Sequence, residues 1–280
     1  MRVLALALAF GVVLASAEPR EVVYAQPGGQ ELKLDLDLPE ETSSPVPLVI
    51  MVHGGSWSHG ERQNFTCPEL VEAGIATATI DYRLAPDSRF PANIQDVKSA
   101  VRFLRAHAPE FHLDPNRIGL WGSSAGAHLS VLAALSDKTA GWDVGDNLDT
   151  SSAVQAVVDW FGPTSFQGLE GAPDRSRNTV IQAFGSDSLI WRQASPLFLV
   201  HKGAPPFMIM HGRQDKLVPF SQSQLLFDSL RQAEVPAQLV AVEHAGHDFK
   251  PVEGNPEPSP PRLRQRVVDF FRATFGLPKT

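Results

Sequence analysis

The spacing of apolar positions changes along the chain, and each change predicts a different element. Over residues 31–38, Leu32, Leu34, Leu36 and Leu38 alternate with Lys33, Asp35 and Asp37. Period two is the mark of a strand with one buried face. Residues 21–25 precede it across Pro27-Gly28-Gly29, so the opening reads as an antiparallel hairpin. The alternation then gives way to unbroken apolar runs. Residues 48–52 end at His53-Gly54-Gly55, and residues 75–80 end at Asp81. Runs of this kind suit strands covered on both faces.

Helical spacing follows. Between residues 93 and 107, Ile94, Val97, Val101 and Leu104 recur three or four positions apart. Asp114-Pro115-Asn116 reads as a turn, residues 117–121 as a short strand and residues 125–135 as a helix. Further strands are expected at 154–160, 207–210 and 238–242, and helices at 221–233 and 262–275. Strands alternating with helices imply crossover units and a mostly parallel sheet with helices on both faces. Three stretches break that rhythm. Residues 137–152 are polar and read as a surface loop. Residues 164–206 contain short helical pieces that could fold over a site as a small cap. Residues 250–261 are Pro-rich and read as a loop before the last helix.

The first residues follow a different logic. Arg2 is followed by an apolar stretch over 3–14 and by Ala15-Ser16-Ala17, a small-x-small cleavage pattern, then Glu18-Pro19. This predicts a signal peptide over residues 1–17, one domain over 18–280, and a secreted or periplasmic product with no stable membrane insertion after cleavage. The apolar run is short for a membrane span. The single cysteine, Cys67, allows no internal disulfide and reads as a small packed hydrophobe. Asn64-Phe65-Thr66 is a glycosylation sequon. A net charge of -7 without a basic cluster argues against nucleic acid as a partner.

The chemistry gathers in four places. Gly122-Ser123-Ser124-Ala125-Gly126 is a G-x-S-x-G between a predicted strand and a predicted helix, where a sharp turn would lift a serine hydroxyl above the sheet. A serine needs a base, and Glu243-His244-Ala245-Gly246-His247 follows a late strand. His247 is favoured over His244 because it lies farther along the loop and can turn back over the sheet. Asp215, in His211-Gly212-Arg213-Gln214-Asp215, lies too far upstream to cap the helix near Ser221 and is the expected orienting carboxylate. The order Ser124, Asp215, His247 is the one this architecture uses. Ala125 N–H and the His53-Gly54-Gly55-Ser56-Trp57 segment are expected to supply oxyanion donors. Trp57, Trp160 and Phe161 are either pocket or core. No H-E-x-x-H and no phosphate-binding G-x-x-x-x-G-K is present, and no cofactor is expected.

Together with Asp81-Tyr82-Arg83-Leu84-Ala85-Pro86, Phe90-Pro91-Ala92, Asp114-Pro115-Asn116-Arg117-Ile118-Gly119 and Trp121 to His128, these motifs resemble the carboxylesterases of the hormone-sensitive-lipase-like group, most closely the acetyl- and feruloyl-xylan-esterase-like α/β-hydrolases. The resemblance implies an α/β-hydrolase fold and a serine carboxylic-ester hydrolase working through an acyl-enzyme. It implies short-chain, acetyl or feruloyl esters, small or polysaccharide-linked, as substrates. It also implies Gly55, Ser56 and Ala125 as oxyanion donors, with His53 orienting that loop and residues 81–86 forming a structural turn. Many relatives carry a third glycine where this chain has Ser56, and the added side chain is expected to narrow the pocket. The H-G-G-x-W form also resembles kynurenine formamidases, which leaves an N-formyl amidase as the rival enzyme. A binding module on an inactive hydrolase scaffold is the rival outside enzymes.

Overall fold

The computed structural model describes residues 19–40, 43–167 and 174–278. The expected signal peptide lies outside them. Strands β1 (Arg20–Ala25), β2 (Leu32–Asp37), β3 (Val46–Val52), β4 (Ala76–Ile80), β5 (Leu113–Ser123), β6 (Ala156–Trp160), β7 (Phe207–Gly212) and β8 (Ala237–Val242) form one sheet in the order β1-β2-β4-β3-β5-β6-β7-β8. The hairpin β1–β2 is antiparallel and joins β4 antiparallel; all other pairings are parallel.

Because side chains alternate across a strand, the central strands feed two cores. Leu48, Ile50 and Val52 of β3 enter one, and Val49 and Met51 enter the other. The first core is covered by α2 (Ala92–Ala106), α3 (Ala125–Leu135) and α6 (Ser221–Gln232), through residues such as Val97, Leu129 and Leu226. The second is covered by α1 (Pro68–Glu72) and α7 (Pro260–Thr274), through Leu70, Val267 and Phe271. Phe271 lies so close to Gly119 that a Cβ there would meet its ring at 2.6 Å, so strand and helix touch directly. Cys67 is buried in this second core, where burial pushes its thiol up to about 12.

Two segments depart from the sequence expectation. The turn at Asp114-Pro115-Asn116 exists, with Asn116 N–H donating to Asp114 Oδ1 at 2.8 Å, but it is an excursion inside a longer β5. Residues 137–152 are not a free surface loop. Trp142 is buried, and Asp143 ion-pairs with Lys98 at 3.2 Å and Arg102 at 2.7 Å, two fully buried cations on α2. Within 164–206, residues Asp174–Phe184 form one unbroken helix, α4, which ends at Gly185; α5 (Ser188–Gln193) follows. Its apolar side chains Val180, Ala183 and Phe184 point into the first core.

Candidate active site

Ser124 sits between β5 and α3 with φ 51° and ψ -118°, a left-handed backbone that a serine adopts only under constraint. The constraint is visible on both sides. A Cβ at Gly122 would lie 2.2 Å from Gly126 O, and a Cβ at Gly126 would lie 2.1 Å from Val52 O. Only glycine lets strand, turn and helix pack this closely. Ser124 N–H donates to Trp160 O at 2.8 Å, and His128 N–H donates to Ser124 O at 3.0 Å.

The three side chains named from the sequence meet here. His247 Nε2 lies 3.0 Å from Ser124 Oγ, and His247 Nδ1 lies 2.6 Å from Asp215 Oδ2. The chain carries His247 to this point by crossing the end of β7. A Cβ on Gly212 would lie 2.5 Å from the carbonyls of both Ala245 and Gly246. Gln214 N–H donates to Ala245 O at 2.9 Å. His244 is exposed and sits on the other side of this crossing.

Asp215 is held more tightly than its sequence context indicated. Oδ1 accepts the N–H groups of Leu217 (2.8 Å) and Val218 (2.9 Å). Oδ2 lies 3.2 Å from Nε2 of a second histidine, His211, which is wholly buried. Burial alone would raise the carboxyl, but the hydrogen bonds from His211 and His247, the charge of His247 and the Val218 N–H hold it well below the usual carboxylate range. His211 Nδ1 lies 2.7 Å from Ser223 Oγ, which fixes the ring from its far side.

The segment after β3 is braced from below. The Tyr82 ring stacks on His53 at 4.4 Å, and its hydroxyl donates to His53 O at 3.1 Å. His53 Nδ1 donates to Gly54 O at 2.7 Å, and burial lowers the pKa of this ring. Ala85 N–H donates to Trp57 O at 2.8 Å. Arg83 grips the buried Asp96 carboxylate with Nε and Nη2. Gly55 has φ 113°, and a Cβ there would fall 1.9 Å from His59 O. Among the described residues, the Gly55 and Ser56 N–H groups meet no protein acceptor. Ala125 opens α3, so its N–H has no partner within the helix.

A cavity of about 460 Å³ opens above Ser124. Ser56, Trp57, Ala125, Phe166, Leu217 and Pro219 line it together with Ser176, Thr179, Val180 and Gln182 of α4. Of the aromatic residues in question, Trp57 faces this cavity. Trp160 belongs to the second core beside Trp121 and Phe249, and the Phe161 ring packs edge-on against His247 at 4.8 Å. The arrangement can take a proton from the Ser124 hydroxyl onto His247 Nε2 and offer backbone N–H groups to a developing oxyanion.

The sequence pattern passed over Asp159, which is fully buried on β6. Oδ1 accepts Gly162 N–H at 2.8 Å, while Oδ2 has no partner among the described residues. Burial raises the carboxyl to about 6, against the smaller opposing effects of the Gly162 N–H and His211. A folded-state pKa raised from about 4 stabilises the fold fully below pH ~4, and that contribution is lost as pH rises through ~6. Two decades of proton affinity correspond to ~3 kcal/mol at neutral pH. Asp159→Asn is therefore expected to raise Tm at pH 8 and to change it little at pH 4. A Tm difference that stays constant across that range would contradict this ionisation.

A serine on a strand-to-helix turn above an eight-stranded, mostly parallel sheet defines an α/β-hydrolase. The chain belongs to the BD-FAE family, which it matches over residues 34–230. It is 34% identical to the esterase LipC of Mycobacterium tuberculosis over 84% of its own length and 60% of that protein's. It is 33% identical to the esterase LipQ of the same organism over 93% and 63%. The chain spans between about half and two-thirds of the length of the curated relatives it matches. Among solved structures, a truncated form of a carbohydrate esterase from gut microbiota superimposes with a TM-score of 0.78 at 25% identity, covering 92% of this chain and 97% of that one.

Proposed function

We propose that this chain hydrolyses carboxylic esters through an acyl-serine. The observation that carries the reading is the hydrogen-bonded line Ser124 Oγ, His247 Nε2, His247 Nδ1, Asp215 Oδ2, with spacings of 3.0 and 2.6 Å, at the floor of a cavity. Ser124 Oγ attacks the ester carbonyl and its proton passes to His247 Nε2. The tetrahedral oxyanion is met by N–H groups of Gly55, Ser56 and Ala125. Collapse expels the alcohol, which takes the proton from His247. Water, deprotonated by His247, then attacks the acyl-serine, and collapse releases the acid as His247 returns that proton to Ser124 Oγ. The relatives named as esterases support ester hydrolysis as the reaction.

Short acyl groups fit the cavity best. Ala183 and Phe184 of α4 are spent on the core, and the wall α4 gives the cavity is Val180 with the polar Ser176, Thr179 and Gln182. α4 thus sets a largely polar wall opposite the apolar one formed by Trp57, Phe166, Leu217 and Pro219. In a panel of p-nitrophenyl esters, acetate and butyrate are expected to exceed palmitate by about tenfold or more in kcat/KM, a difference of ~1.4 kcal/mol or more. No jump in rate is expected as substrate passes its solubility limit. Preference for palmitate with interfacial activation would replace the esterase reading with a lipase one. Faster cleavage of N-formylkynurenine than of any ester would replace it with an amidase. Acetylated and feruloylated xylan belong in the same panel, because the carbohydrate esterase shares this fold over nearly its whole length.

The reading includes export, on the strength of Arg2, the apolar stretch 3–14 and Ala15-Ser16-Ala17. A mature product beginning at Glu18 is expected by mass spectrometry of the exported fraction. A chain retained with residues 1–17 intact would remove export from the proposal.

A further inference from the structure

His128 lies on α3 one turn beyond Ser124, and its ring is fully buried. Both ring nitrogens are engaged. Trp57 Nε1–H donates to His128 Nδ1 at 3.2 Å, so Nδ1 carries a lone pair. Nε2 therefore carries the proton and donates it to Ala194 O at 2.7 Å. Burial pushes the ring down to about 4, which keeps this neutral tautomer in place. The ring thus joins the segment after β3 to the chain immediately following α5, through the helix that begins beside Ser124.

Trp57 needs such a partner. Ser56 and Trp57 have φ 53° and 59°, two successive non-glycine residues in the left-handed region. Such backbone is costly outside glycine and persists only where surroundings over-determine it. The Trp57 indole is held edge-on by Phe184 (4.9 Å), His128 (5.2 Å) and Phe166 (5.8 Å). Those ring contacts fix where the indole packs. The hydrogen bond to His128 adds a directional constraint on its rotation, next to the backbone bonds that Gly55 O and Trp57 O accept.

We propose that His128 is a positioning residue for the oxyanion donors, acting through Trp57 on the Ser56 N–H. The proposal rests on the esterase reading. Full-length wild type, His128→Leu, His128→Gln, Trp57→Phe and the His128→Leu/Trp57→Phe pair would be compared on p-nitrophenyl acetate. The rate of Ser124 labelling by a fluorophosphonate and Tm would be measured on the same set. Misplaced donors weaken only the transition state, so His128→Leu and Trp57→Phe are each expected to lower kcat by about 10- to 100-fold, with a smaller change in KM. Labelling should slow in parallel. The double variant should be no slower than the slower single variant, because both break one hydrogen bond. A glutamine can accept from the indole and donate to Ala194 O, so His128→Gln should keep kcat within about threefold of wild type. If the single variants lose only Tm, if their effects on kcat multiply in the double variant, or if glutamine is no better than leucine, His128 is packing alone and the proposal falls. An inactive, unlabelled wild type would instead overturn the esterase reading, and this inference with it.

Discussion

Ser124→Ala is expected to lower kcat by on the order of 10⁴- to 10⁶-fold, the scale on which loss of a nucleophile is felt when its neighbours stay in place. The alanine keeps the backbone turn, because the φ of 51° is enforced by Gly122, Gly126 and the hydrogen bonds at either end of residue 124 rather than by the hydroxyl. The fold and KM should therefore survive, and the loss should fall on kcat. Ser123, one residue earlier, is the control. It is the last residue of β5, and His247 Nε2 is hydrogen-bonded to Ser124 instead. Ser123→Ala should stay within a few-fold of wild type, and a fluorophosphonate should label Ser124 alone. Label on Ser123, or an active Ser124→Ala, would show that the strand-to-helix turn does not present the nucleophile.

The parts of this fold that sequence reasoning reached are those where burial imposes a period. Leu32, Leu34 and Leu36 alternate because β2 has one covered face, while the apolar run of β3 and the alternating alanines and threonines of β4 are covered on both. α3 was bounded to the residue because the glycines before it and the polar Ser136 after it frame an apolar segment. The two cations of α2 have no such period. Lys98 and Arg102 lie four apart on α2, and both are buried against Asp143, more than forty residues on. A charge pair closed across such a distance leaves no local pattern. The polar composition of 137–152 misled for the same reason, since its carboxylate is the partner of a buried guanidinium.

The site divides in the same way. Ser124, Asp215 and His247 were readable because each follows a strand and the three come in a fixed order. Asp159, His211 and His128 were not, because their roles depend on which atoms surround them and not on what precedes them. A buried carboxyl on an apolar strand was a signal of a kind, as Asp159 interrupts an otherwise hydrophobic β6. The motif Trp121 to His128 contained His128 without giving it a role, and its place one turn into α3 after the Ser124 turn was the remaining pointer.

The second large effect separates two histidines three residues apart. His247→Ala is expected to cost on the order of 10⁴- to 10⁶-fold in kcat, because the Ser124 hydroxyl then has no base. His244→Ala should stay within about threefold. The reason lies in how the loop is anchored. Gly212 admits the carbonyls of Ala245 and Gly246 at distances no side chain would tolerate, and Gln214 N–H holds Ala245 O. Residues beyond that crossing are delivered over Asp215, and residues before it are left outside. His244 is before it. Its backbone is left-handed, with φ 56°, and its carbonyl accepts Val252 N–H at 2.8 Å. Its ring packs so near Gly254 that a Cβ there would meet His244 Cγ at 2.9 Å. To reach Ser124, His244 would have to pull the whole crossing off β7. Gly212→Ala adds an independent arm: its Cβ collides with two carbonyls, so it should displace His247 and lower kcat while leaving Ser124 in place. A large loss from His244→Ala, or an active His247→Ala, would show that the loop presents the other histidine in solution and that the Asp215–His247 hydrogen bond is not the one that supports the base.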